Sequence, residues 1–93
     1  MKDNIIKNKS FDFALRIVRL YQDLVTNKKE FVLSKQLLRS GTAIGALVRE
    51  AEQAESKADF IHKLSISLKE ANESEYWIEL LFKSHYIDEI EYN

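Results

Sequence analysis

Leu37-Leu38-Arg39-Ser40-Gly41-Thr42-Ala43-Ile44-Gly45-Ala46-Leu47-Val48, residues 37–48, decides how this chain folds. Leu37, Gly41, Ile44 and Val48, with Ala51 just beyond, stand at i, i+4, i+7, i+11 and i+14, one side of an α-helix. Gly41 and Gly45 are one turn apart, with Ala43 and Ala46 beside them. A glycine inside a soluble helix costs roughly 1 kcal/mol relative to alanine. A compensating gain is expected: either close approach of another backbone or a local kink. The uncharged run from Ser40 to Val48 is too short to span a bilayer, so the Gly-x-x-x-Gly spacing is not a membrane motif.

This helix is expected to open near Ser34, with Ser34 as its N-cap. Upstream, Phe13, Ile17, Leu20 and Leu24 recur at helical spacing, and Phe11, Leu15, Val18 and Val25 broaden their stripe. A first helix over about residues 10–27 follows, with Ser10 as N-cap and residues 1–9 as a flexible arm. Downstream, Ser56 followed by Asp59 resembles a capping box with Asp in place of Glu or Gln, and either starts a third helix or marks a break between two helices. Ile61, Leu64, Leu68, Ala71, Ile78 and Phe82 then carry a helical pattern to about Ser84. After a connector at His85-Tyr86, residues 87–92 read as the first turns of another helix.

The 93 residues allow one domain. They include no proline and only two glycines, which disfavours a turn-rich β fold. The fold class is all-α: an antiparallel up-and-down bundle of three long helices plus the start of a fourth, in a single domain over 1–93. Three apolar faces this broad call for a fourth member, which this chain barely begins. Either a longer chain or other subunits would cover the gap, and self-association is the expectation.

The chain has no cysteine, which excludes disulfides, thiolate metal sites and cysteine nucleophiles. No apolar leader is visible at the N-terminus, and the expected location is the cytoplasm. Net charge is −1, yet residues 1–50 carry ten Lys/Arg against five Asp/Glu, and residues 51–93 carry four against ten. Such polarity draws a nucleic acid to one half, or holds one half against another, within or between chains.

In Gln36–Ala46, Glu50-Ala51, Asp59–Leu64, Lys69-Glu70-Ala71 and Glu75-Tyr76-Trp77, the chain resembles the four-helix-bundle family of 23S rRNA-intervening-sequence proteins. That family is related to the accessory protein of diversity-generating retroelements. The resemblance implies an antiparallel four-helix bundle that assembles into a homopentamer, with no associated enzymatic activity. The retroelement relative is strongly basic and binds nucleic acid and a reverse transcriptase. This chain departs from the pattern at Ala43 and Leu47, where the family has Ser and Asn, in its net charge, and in that the sequence as given barely begins the fourth helix.

The residues offer little to catalysis. A bundle di-metal site needs two inward Glu-x-x-His units; Asp59-Phe60-Ile61-His62 approximates one, without a second copy. No catalytic, metal or cofactor residues are assigned. For nucleic acid, Lys35, Arg39 and Arg49 share one stripe of helix two, which Arg16 and Arg19 of helix one could extend to RNA or DNA phosphates. The alternative is that Arg39 and Arg49 pair with glutamates of helix three or of another subunit. Gly41, Gly45, Ile44, Val48, Tyr76 and Trp77 are the candidate helix-packing or oligomer-interface residues. The functional expectation is a non-enzymatic homo-oligomeric scaffold or interaction subunit, with itself and another protein as partners and no membrane. A nucleic-acid-binding accessory protein is the alternative.

Overall fold

The computed structural model describes residues 4–92. Four helices follow in order: α1 (Asn4–Thr26), α2 (Leu33–Glu52), α3 (Lys57–Lys83) and the short α4 (Glu89–Tyr92). The expected all-α, up-and-down arrangement of three long helices and the start of a fourth is what forms. Connections of a few residues force neighbours to run antiparallel. Lys7 of early α1 accordingly pairs with Glu52 at the end of α2, at 3.4 Å. At the opposite end, the Lys28 ammonium donates to the Tyr86 carbonyl at 2.6 Å, tying the α1–α2 turn to the α3–α4 turn.

The middle helix is α2. It packs on α1 and on α3, whereas the backbones of α1 and α3 stay apart among the described residues and meet only through side chains of the shared core. The result is a rod 43 Å long and about half as wide. Burial is uneven along it. Ile17, Leu24, Leu37, Leu81 and Ile87 form the buried cluster, gathered toward the end that carries the α1–α2 turn. The far end holds exposed apolar side chains instead, among them Ile6, Phe11, Ile61 and Leu68.

Helix termini show where the one-dimensional pattern misleads. α1 starts at Asn4, so residues 4–9 of the expected arm are helical, while Met1–Asp3 lie outside the described residues. Ser10 is therefore not a cap: it is buried mid-helix, and its hydroxyl donates to the Lys7 carbonyl. Ser34 does not cap α2 either. The N-cap is Val32, whose side chain has no hydrogen-bonding atom, and the carboxylate of Glu30 takes over by accepting the N–H groups of Val32, Leu33 and Ser34. At α3 the expected cap does form, with Ser56 accepting the Asp59 N–H at 3.1 Å. Asp88 and Glu91 exchange side-chain and backbone hydrogen bonds at the start of α4, a reciprocal capping box.

With so few glycines, the helix ends use other residues in left-handed backbone. Lys29 (φ 57°) turns the chain out of α1, and His85 (φ 71°) closes α3. Tyr86 N–H returns to Leu81 O and His85 N–H to Phe82 O, a Schellman closure whose left-handed position normally falls to glycine. A Cβ in that conformation costs roughly 1 kcal/mol or more. His85→Gly is expected to stabilise the chain by about 1 kcal/mol, read as a higher urea midpoint at unchanged slope. A lower midpoint would show that His85 makes a compensating contact.

Candidate interaction site

Neither glycine of α2 has positive φ, so their role lies in proximity, not in conformation. A Cβ built on Gly41 would meet Ile17 Cγ1 and Cγ2 at 3.0 Å, and one on Gly45 would meet the Ser10 carbonyl oxygen at 3.3 Å. Both glycines are thus cradles for α1 of the same chain. Val48 is buried, and Ile44 is half-buried at the base of the cleft that separates α1 from α3. On the other flank of α2 the close approach rests on serines, which the apolar periodicity does not reveal. Ser40 and Ser74 are 0% and 1% exposed, with hydroxyl oxygens 2.9 Å apart, and Ser67 donates to the Ile44 carbonyl. The available sequence signal is the seven-residue interval Ser67, Ser74, Leu81, one inward row of α3.

The five candidate cations are divided between two faces. Lys35, Arg39 and Arg49 lie exposed along the outer stripe of α2. Arg39 reaches α3, where it pairs with Glu70 at 3.2 Å and with Glu73. Trp77 donates its indole N–H to the same Glu73 at 3.0 Å. That indole bond first, and then the guanidinium, hold the Glu73 carboxyl below the usual carboxylate range, while Glu73 in turn raises the Arg39 pKa. Arg49 lies over the Phe11 ring, 5.3 Å from its centroid. Arg16 and Arg19 instead line the cleft between α1 and α3, together with Asp23 and Glu91. The outer stripe and the cleft cations therefore do not form one patch.

Tyr76 is 58% exposed and Trp77 half-buried, their rings edge-to-face at 5.0 Å. His62 and His85 are exposed, and among the described residues no group of three or more His, Asp or Glu is placed to hold a metal ion. None of the described helices is long and apolar enough to cross a membrane.

A family model described as "23S rRNA-intervening sequence protein" matches residues 2–93. Among solved structures, a protein of unknown function from the S23 ribosomal protein family of Bacteroides thetaiotaomicron VPI-5482 is 65% identical, with a TM-score of 0.96. The match covers 99% of this chain and 82% of that one. No curated protein matches the chain.

Proposed function

Because the chain belongs to the 23S rRNA-intervening sequence protein family, we propose that it works as a cytoplasmic, homo-oligomeric interaction subunit, pentameric by family resemblance, with no chemistry of its own. One observation carries this reading. Seven apolar side chains are buried among the described residues, while twelve large ones are exposed. Scattered exposed apolar residues are ordinary, but an excess on a rod this thin marks surface that association removes from water. Phe11 and Leu15 on α1 and Tyr76 on α3, at 51%, 38% and 58% exposure, are the proposed contacts to a neighbouring copy.

Since these three side chains lie outside the buried cluster, and inside the chain Phe11 and Tyr76 meet the exposed Arg49 and the half-buried Trp77, they can be changed at modest cost to the fold. A Phe11→Ser/Leu15→Ser/Tyr76→Ser variant is expected to keep its helical circular dichroism and drop to the mass of one chain in light scattering. An unchanged oligomer would remove these residues from the interface.

Nucleic-acid binding is the second reading, supported by Lys35 on the outer stripe and Arg16 and Arg19 in the cleft, none of them in an ion pair among the described residues, and by the ring avidity that an oligomer would add. The geometry favours it less, since Arg39 is engaged by two glutamates and Arg49 by Phe11. On this reading, the charge-neutralising Arg39→Gln/Arg49→Gln leaves a gel shift with structured RNA within about threefold of the parent, because Glu70, Glu73 and Phe11 already hold those two cations. A loss of tenfold or more would return Arg39 and Arg49 to the binding site.

A further inference from the structure

Helix α1 carries a second apolar row, turned away from the α1–α3 cleft. Phe11, Leu15, Val18, Gln22 and Val25 stand at i, i+4, i+7, i+11 and i+14, the spacing of a coiled-coil seam with one polar position. None of them lines the cleft, so whatever fills the cleft leaves Phe11 and Leu15 on the surface. On α3, Leu68, Asn72, Tyr76 and Glu79 follow at i, i+4, i+8 and i+11, all exposed and again outside the cleft lining.

The heights of these two rows along the rod are fixed by α2. Gly45 lies against Ser10 of α1, while the adjoining Ile44 carbonyl accepts the Ser67 hydroxyl of α3. One turn away, Gly41 lies against Ile17, while Ser40 meets Ser74. Residue 10 is therefore level with residue 67 and residue 17 with residue 74, an offset of 57 in both places. Copies related by rotation about an axis along the rod keep that offset, because a closed ring has no rise. Leu15 then comes level with Asn72 of the next copy, between its Leu68 and Tyr76.

At those heights the charges are opposite. Asp12 is level with Lys69, and Arg16 and Arg19 are level with a stretch of α3 that carries Glu73, Glu75 and Glu79. Arg16, Arg19, Glu75 and Glu79 enter no ion pair among the described residues. That part of the charge polarity between the two halves of the sequence is not spent inside the described chain. A two-fold pairing of α1 with α1 about the middle of its row would instead set Arg16 and Arg19 against their own copies.

Resting on the self-association proposed above, we propose that the joint between copies is heterologous. The Phe11, Leu15 and Val18 row of one copy seats, parallel and at the offset of 57, on the Leu68, Asn72 and Tyr76 row of the next. Leu15 enters between Leu68 and Tyr76, and Arg16 and Arg19 face the glutamates beside Tyr76. Gln22 comes level with Glu79, a polar pair that fixes the register of an otherwise apolar seam. One such joint per copy, repeated around the axis, closes a ring and leaves every cleft untouched.

The chain has no cysteine, so a disulfide can be placed at the joint alone. A Leu15→Cys/Asn72→Cys variant, oxidised as assembled, is expected to give a ladder of covalent multimers on a non-reducing gel. Leu15→Cys and Asn72→Cys are each expected to stay single chains, and the two co-assembled to stop at two chains. Leu15→Cys/Ser65→Cys, displaced by one heptad, is expected to crosslink at least tenfold more slowly, because disulfides need Cα atoms within about 7 Å. A covalent dimer from Leu15→Cys alone would overturn the proposal in favour of a two-fold joint, and equal rates for the two registers would overturn the offset. Light scattering of the unoxidised double variant separates this proposal from the reading it rests on. An assembled mass without a ladder overturns the heterologous joint only, whereas a single-chain mass for variant and parent alike overturns self-association and the joint with it.

Discussion

Replacing Gly41 by Leu is expected to destabilise the chain by about 3 kcal/mol and to lower its melting temperature by roughly 15 °C. At this position the distance between α1 and α2 is set by the absence of a side chain. A single methyl group already presses on Ile17 at 3.0 Å, so the isoleucine must give by a few tenths of an ångström. For Gly41→Ala that strain is offset by the roughly 1 kcal/mol that alanine gains in a helix, and the two nearly cancel. Leucine adds three further carbons with no space to enter. The only relief is to lift α1, which exposes Ile17 and Leu24, now 4% and 0% exposed. Thermal denaturation at a fixed chain concentration reads the effect, because association makes the midpoint concentration-dependent. A Gly41→Leu melt within a few degrees of the parent would show that Gly41 does not govern the helix spacing.

Glu30→Gln is the second large effect, expected at about 2 kcal/mol at neutral pH. Glu30 is only 7% exposed, yet its carboxylate accepts three N–H groups of the α2 N-terminus, at 3.2, 2.9 and 2.6 Å. Its own carbonyl accepts the Ser34 hydroxyl at 2.8 Å. Burial by itself disfavours the charge. The N–H bonds outweigh it and hold the carboxyl below its ordinary value, with the positive end of the helix dipole acting in the same direction. A lowered folded-state pKa means that the unfolded chain binds the proton more readily. The contribution is therefore complete above the ordinary carboxylate range of about 4 and disappears as pH falls through the lower, folded value. Urea denaturation should separate parent and Glu30→Gln at pH 7, with the gap narrowing progressively as pH falls below the ordinary carboxylate range. A gap that widens on acidification would reverse the assigned cause.

Much of the bundle was legible because it rests on periodicity within one helix. Leu37, Gly41, Ile44 and Val48 mark α2, Ile61 to Phe82 mark α3, and Ser56 caps α3 as its position beside Asp59 suggested. What was not legible depends on chain reversal. Glu30 caps α2 only because the left-handed backbone at Lys29 turns its carboxylate back onto the helix it precedes. Ser10 looks like a cap in one dimension, but in three it is the small residue that fits Gly45. Cation placement fails for a related reason: a stripe on one helix says nothing of the angle at which the next helix presents its own. Arg39 and Arg49 consequently stay on the outer side of α2, whereas Arg16 and Arg19 line the cleft between α1 and α3.

Fold and function meet in the apolar surface that three helices cannot hide from water. Sedimentation equilibrium of the unmodified chain over a micromolar concentration range measures its consequence directly. An assembly several times the 10.9 kDa chain mass is the predicted result. A single folded species at 10.9 kDa across that range would contradict the proposal that copies of this protein cover one another.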